Sequence, residues 1–466
     1  MLMSCASVSL PPLQRLQSTD DCKALFQTVD HMVVESGVRD AESSMLKDFP
    51  YLRINRFYAS LKNQLNTDSD YHTWIKSLAD LDEQARSIEI QNLPNMGQAQ
   101  RVKAMLPRLN QCRKALIQAE SMLFKNKIIK QAKVPDHYIS WQRMLGIYPI
   151  SSLFVLAGVH DWHEEVKASY AQPLAKLPIS GTVTRWSSRQ SDTPLSPVDI
   201  RKILSASEDA LGIPKPSTNQ LNQLFQTFAP IWEIDVVDSN DKIGAASKGD
   251  GHLTVDTQTP VEYRKLSYTR YHKQTLLQLN YVIWFPARAS NDMYGGNIDG
   301  ITWRVTIGSD GSIWMYDSIH NCGCYHKFYP NPMFHLRSDL PAIYFEPPLS
   351  PQSAPDANPV VLRISHTNHY IQRVRHDSNP PPFIQMHSMA YDSLRNLHTP
   401  TGFQSMFDAQ GLVSESKRGE RYFLWPTGVP SPGAMRQWGN HITAFIGSRH
   451  FDDPYLIESL FKHVEP

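Results

Sequence analysis

Long hydrophobic runs are missing from this chain. No stretch approaches the ~18 apolar residues that a spanning helix needs. The longest apolar segments, such as Thr275 to Phe285, are strand-length and are broken by Gln278 and Asn280. Charge is also scarce, at 20% of residues, and Lys+Arg 46 against Asp+Glu 45 leaves a formal +1. That balance supplies no overall basic field to gather the chain on nucleic acid or anionic lipid. Glycine, at 22 residues, is outnumbered by 33 prolines, so many loops are stiffened by a fixed φ. Five cysteines in 466 residues exclude a disulfide-stapled scaffold. The Gly-rich phosphate loop, the G-x-G-x-x-G fingerprint, the H-E-x-x-H motif and the G-x-S-x-G elbow are absent too. Nucleotide-driven, dinucleotide-dependent and standard serine-hydrolase chemistry therefore lack their usual signatures.

What is present is apolar and aromatic: 41% hydrophobic and 10% aromatic residues, enough for a large core. The length allows two or three folding units at ~150 residues each. From Asp20 onward the pattern is helical. Leu25, Val29, Met32 and Val33 recur at helical spacing with Gly37 as a stop, and Trp74, Leu78, Leu81, Ala85 and Ile88 form a second stripe ending before Pro94. A third run, Val102 to Ile129, places Leu106, Leu109, Leu116 and Met122 on one face around Pro107. Between Pro135 and Thr193 the pattern weakens; Ser196-Pro197 then opens a helix to Gly212, and Phe225 and Phe228 sit in another.

After Pro230 the period changes to that of strands: Ile231 to Val237, Gln274 to Phe285, Ile301 to Ile307, Ser312 to Ile319 and Val360 to His366. Gly308-Ser309-Asp310-Gly311 and Thr367-Asn368 supply hairpin turns, and the strand around Tyr281 is central. The basic and aromatic stretch Tyr263 to Lys273 reads as a solvated edge strand. Asp452 to Lys462 reads as a closing helix. The fold class is α+β, a helical N-terminal half packed on a mostly antiparallel C-terminal β-sheet. Its parts are an N-terminal segment (1–19), a mainly helical domain (20–228), and a sheet domain (229–466) with a C-terminal helix and Pro/Gly-rich loops.

Met1-Leu2-Met3-Ser4-Cys5-Ala6-Ser7 resembles the end of a bacterial lipoprotein signal, whose cysteine receives lipid after cleavage; the basic and apolar regions that precede such a cysteine are not in this sequence. The resemblance implies lipidation at Cys5 and a periplasm-facing, membrane-anchored protein of the bacterial envelope, against a cytoplasmic alternative. Four cysteines then remain, and they can pair as Cys22 with Cys112 and Cys322 with Cys324.

One segment concentrates chemistry: Tyr316-Asp317-Ser318-Ile319-His320-Asn321-Cys322-Gly323-Cys324-Tyr325-His326. On an extended strand His320, Cys322, Cys324 and His326 share one face, and they are ligands of the kind zinc and other transition metals prefer. A straight strand separates the end histidines by ~20 Å, so one ion needs a bend at Gly323 or ligands such as His366 or His369. Two other fates are open to the thiols: a Cys322–Cys324 disulfide, or buried reduced cysteines beside histidines bonded to backbone. A nucleophilic cysteine would need a cation or helix start beside it.

The Pro/Gly-rich stretch Trp425 to His441 and the following Arg449-His450-Phe451-Asp452 make a rigid loop able to approach that strip. Arg436 and Arg449 are candidate binding groups, and His441, His450 and Asp317 candidate acid–base groups. His160 and His163, three apart, are ordinary surface by default, and Tyr294 to Gly300 reads as a wide hairpin turn. Two functions fit these residues. One is an envelope lipoprotein whose C-terminal sheet domain binds a small ligand or an envelope protein, with no nucleic acid involved. The other is a metal-assisted hydrolase or oxidoreductase built on the Cys/His strip.

Overall fold

The computed structural model describes residues 18–94, 96–145, 148–190, 194–249, 251–341 and 344–464; Cys5 lies outside them. The class is α+β, with helices mostly in the N-terminal half and strands mostly in the C-terminal half. No helix among the described residues is long and apolar enough to cross a membrane. The chain divides into two compact units, residues 1–135 with 395–411, and residues 136–394 with 412–466.

In the first unit, helix α1 (Thr19–Glu35) starts one residue earlier than Asp20 suggests. Ser18 is the cap: its hydroxyl accepts from the Asp21 N–H at 3.1 Å, while the Asp21 carboxylate accepts from the Ser18 N–H at 3.2 Å. Leu25, Val29, Met32 and Val33 are buried as their spacing predicts. A short hairpin (β1, Ser44–Leu46; β2, Phe49–Ile54) precedes α2 (Asp68–Gln91), which buries Trp74, Leu78 and Ala85. The third helical run is two helices, α3 (Met96–Glu120) with Pro107 inside it and α4 (Lys125–Gln131). Met122 falls in the intervening turn and is exposed, whereas Leu109 and Leu116 are buried. A Cys22–Cys112 disulfide ties α1 to α3.

The interior of this unit is charged as well as apolar. Asp82 is fully buried and accepts from Arg53 at 3.3 Å, Arg86 at 3.0 Å and Arg113 at 2.9 Å; Arg53 also meets Glu89 at 2.7 Å and Arg86 meets Asp30 at 2.7 Å. Burial alone would raise the Asp82 pKa, but the three guanidinium groups hold it below the usual carboxylate value.

The second unit holds two large sheets and two small two-stranded ones. Helices α5 (Ser140–Met144) and α6 (Tyr148–Ala171) come first, followed by β3 (Thr182–Ser187), α7 (Pro197–Ala206), α8 (Thr218–Phe228) and β4 (Ile231–Val236). The long strands are β5 (Val261–Tyr271), β6 (Gln274–Arg288), β7 (Gly296–Ile307), β8 (Ile313–His320) and β9 (Lys327–Pro330). After them come β10 (Val360–Ile364), β11 (Ile371–His376), β12 (Ile384–Gln385) and β13 (His387–Ala390). The six-stranded sheet runs β9-β8-β7-β6-β5-β13 and the five-stranded sheet β11-β10-β4-β3-β12. Pairing is antiparallel except for β13 with β5, β10 with β4 and β12 with β3.

Alternation along the strands gives the larger sheet two unlike faces. Leu277, Leu279, Tyr281 and Ile283 of β6, with Ile301, Trp303 and Val305 of β7, join residues of the smaller sheet (Trp232, Ile234, Leu362, Ile364) and of α7 and α8 in one core. The other face carries Gln278, Asn280, Thr302, Arg304 and Asp317, all buried.

Three sequence expectations give way here. The Tyr263–Lys273 segment is no solvated edge: β5 is paired on both sides, Tyr263 is buried and Lys265 meets Asp392 at 3.3 Å. The closing helix is only Leu456–Leu460, because Pro454 delays it and Phe461–His463 pairs as a strand with Phe334–Leu336. The weakly patterned stretch after Pro135 contains the 24-residue α6, whose first half is apolar all round and so shows no amphipathic period.

Replacing Asp82 with Ala should cost the first unit about 3–5 kcal/mol, since three buried guanidinium groups lose their shared acceptor. Urea unfolding followed by circular dichroism would measure it, and a loss under 1 kcal/mol would contradict it.

Candidate functional site

The thiol segment is a tight turn at the end of β8. The His320 N–H donates to the Cys324 carbonyl at 3.0 Å and the Gly323 N–H to the His320 carbonyl at 2.7 Å. Gly323 has φ +94, and a Cβ there would lie 2.2 Å from the Ile442 carbonyl oxygen, so the position requires glycine. The turn breaks the alternation an extended strand would keep, and the four Cys/His side chains part company. His320 lies 3.7 Å from Asp299, with Tyr325 and Tyr370 rings at 4.9 and 5.5 Å. His326 bonds Asp317 at 2.8 Å and packs on Phe328 and Phe451. Asp317 and His320 are three apart on β8, so the two imidazoles sit on opposite sides of the sheet. Among the described residues, no group of three or more His, Cys, Asp or Glu side chains is placed to hold a metal ion.

The sulfurs stay together. Cys322 and Cys324 are free thiols, and Cys322 Sγ accepts from the Cys324 N–H at 3.4 Å. The neighbouring Cys322 and then burial hold the Cys324 proton well above its ordinary pKa. Both cysteines line a cavity of about 30 Å³ with Tyr325, Glu346, Arg436 and Thr443, room for a water molecule but not for an organic ligand.

The loop reaches this turn as its stiff backbone suggests. The Arg436 N–H donates to the Asn321 carbonyl at 2.8 Å, and its Nε donates to the Cys322 carbonyl at 2.9 Å. His441 is buried nearby, and burial pushes its pKa down to about 3. Arg449 instead braces the loop, bonding the Thr443 and Glu346 carbonyls at 3.0 Å each. His450 stands against the Tyr138 ring and 3.6 Å from Asp136, with no place on the thiol cavity. Asp317 is doubly bonded by Arg304, at 2.8 and 2.6 Å, as well as by His326. A carboxylate so held is a weak base.

Sequence reasoning passed over Glu420. The residue is only 6% exposed. It lies against Gly433, where an added Cβ would sit 1.9 Å from its Oε1, and Gly433 lines the thiol cavity. Burial outweighs the neighbouring Arg288, Arg418 and Arg436 charges and raises its pKa to about 7. No local motif marks this glutamate; a buried carboxyl is visible only once the chain is folded.

A second polar cluster was equally hidden. His369 bonds Asp299 at 2.7 Å through Nδ1 and faces Asp241 at 3.4 Å through Nε2, its ring stacked 3.9 Å over Phe285. Burial opposes all these charges, yet the imidazoles of His320 and His369 keep Asp299 well below the usual carboxylate range, and His369 with the Thr367 and Val237 N–H groups brings Asp241 to about 2. The same two carboxylates raise the His369 pKa. Arg288 extends the cluster, donating to Tyr325 at 3.3 Å and Tyr370 at 3.4 Å.

Burial holds His320 and His326 at about 4 and His441 at about 3. These folded-state values lie below the unfolded one, so the unfolded chain binds more protons as pH falls. Stability should decline from pH ~6.5 towards 4, by up to about 1.4 kcal/mol per pH unit for each histidine. His369 has the opposite sign, but its raised value acts above pH ~6.5, so it leaves this window unchanged. Denaturant melts at pH 7, 6 and 5 would read the slope; a flat profile would rule out three buried neutral imidazoles.

Comparison with known protein families, with curated proteins and with solved structures finds no match to this chain.

Proposed function

We propose that the C-terminal sheet unit carries a thiol–disulfide exchange site, acting on a disulfide of a partner protein in the bacterial envelope. One observation supports this reading above the others. Two free cysteines sit one residue apart on a glycine turn, with the Cys324 N–H donating to Cys322 Sγ, on a cavity wall that the Glu420 carboxyl adjoins through Gly433. The Cys22–Cys112 disulfide supports an oxidising compartment, and the lipoprotein-like residues around Cys5 support a lipid tether there.

In this mechanism Cys322 is the attacking sulfur, since it accepts the N–H of Cys324, which favours its thiolate. Cys322 loses its proton and attacks one sulfur of the substrate disulfide. That S–S bond breaks, and the first leaving thiolate takes up a proton. Cys324 then gives its proton to Glu420 and attacks Cys322. The mixed disulfide breaks, a Cys322–Cys324 disulfide forms, and the second leaving thiolate receives the proton. The pair is oxidised by two electrons and the substrate disulfide becomes two thiols. Arg436 keeps a positive charge beside the sulfurs throughout.

Incubation in glutathione buffers of graded redox ratio, followed by peptide mass spectrometry, tests this. The expected product is a reversible Cys322–Cys324 link that forms without unfolding. Glu420→Gln should slow its formation about 10- to 100-fold near neutral pH and remove the rate inflection near pH 7 expected of the native protein. Thiols that react only after unfolding would overturn the proposal. So would purified protein holding stoichiometric zinc on this pair, the competing use of the same thiols.

A further inference from the structure

The first helices of the sheet unit leave a large apolar surface open. Trp141, Met144 and Leu145 at α5, and Ile150, Leu153 and Phe154 in the first turns of α6, are each between 57% and 78% exposed. The two helices pack against each other, so these side chains lie on adjoining elements. Ile150, Leu153, Phe154 and the exposed Ala157 follow i, i+3, i+4, i+7 spacing, which makes them one stripe. No charged residue occurs from Met144 to Val159. Ordinary exposed helices of soluble proteins are lined with charge, and contiguous exposed patches beyond a few hundred Å² mark interaction sites.

We propose that this surface is a self-association interface, on which the α6 stripe of one copy packs antiparallel against the same stripe of a second copy. Three features favour a second copy. The exposed parts of the six large side chains amount to roughly 800 Å² per copy, at ~200 Å² for a whole large apolar side chain, which is what a standard dimer interface buries on each side. Charge is absent from the stripe, as in the cores of homodimer interfaces. A bilayer-seated helix, by contrast, would present lysine or arginine on its polar face, and the later turns of α6 carry Asp161, Glu164 and Glu165 with Lys167 as their sole Lys or Arg. Third, the stripe ends on Ala157 and Gly158, and a Cβ added at Gly158 would meet nothing within 4 Å. Two such helices can therefore approach closely, and a two-fold axis crossing α6 would pair each stripe with itself.

Sedimentation velocity of the full chain at micromolar concentration tests this. The native protein should run as two chains. Leu153→Asp combined with Phe154→Asp should weaken association at least ~100-fold, as for a hot spot at an interface centre, with far-ultraviolet circular dichroism and melting temperature unchanged. If that double variant misfolds, the single Phe154→Ser replaces it with at least a tenfold weakening expected. A native protein that stays monomeric, or a dimer that survives either folded variant, would overturn the proposal. So would a monomer that floats with phosphatidylcholine vesicles through Phe154, since the surface would then be a lipid contact.

Discussion

Arg304 holds the C-terminal unit's site in place. Its guanidinium donates twice to Asp317 on the neighbouring strand, reaches the Phe451 carbonyl at 2.6 Å and lies 3.6 Å over the Phe451 ring. A buried sheet face bearing Gln278, Asn280, Thr302 and Asp317 is stable only if something polar covers it. The segment around 434–454 provides that cover: Thr269 and Arg270 bond the Pro454 carbonyl, and the Trp438 N–H donates to Tyr391. The same segment delivers Arg436 and Ile442 to the thiol turn. Its fit there is close enough that Gly323 has no room for a side chain.

Buried charge recurs in both units and is handled differently at the proposed active group. Asp82, Asp299 and Asp317 are each bonded by arginine or histidine side chains and stay ionised. Glu420 has cations near, but burial outweighs them and the balance tips towards the protonated acid. Lys327 is a parallel case among the bases: it is buried against Trp162 and Tyr370 with only the Ile371 carbonyl as partner, and burial lowers its pKa to about 7. Paired groups hold the architecture. Glu420 and Lys327 are those able to exchange a proton near neutrality.

The helices of the first unit, the strand periods after Pro230 and the hairpin at 308–311 could be read from the chain directly, because each rests on local spacing. Counting cysteines offered Cys22–Cys112 together with Cys322–Cys324, and of these two pairs the first alone is bonded. The 316–326 segment and the loop at 425–441 meet through Arg436. The shared face of His320, Cys322, Cys324 and His326 assumed an extended backbone, and one glycine at positive φ undoes it. The α6 helix escaped notice because a helix apolar on all sides has no period to detect.

Sequence by itself determined the α+β class, the strand that lies at the centre of the large sheet, and which residue types crowd around position 323. Those properties depend on neighbours a few positions apart, where side-chain periodicity and turn chemistry act. Tertiary structure alone decided that Glu420 sits beside thiols almost a hundred positions earlier, that Asp299, His369 and Asp241 share a proton network, and that the two imidazoles of the strip face opposite ways. Such pairings are set by how sheets and loops close over one another, and their energies depend on burial, which no local pattern encodes.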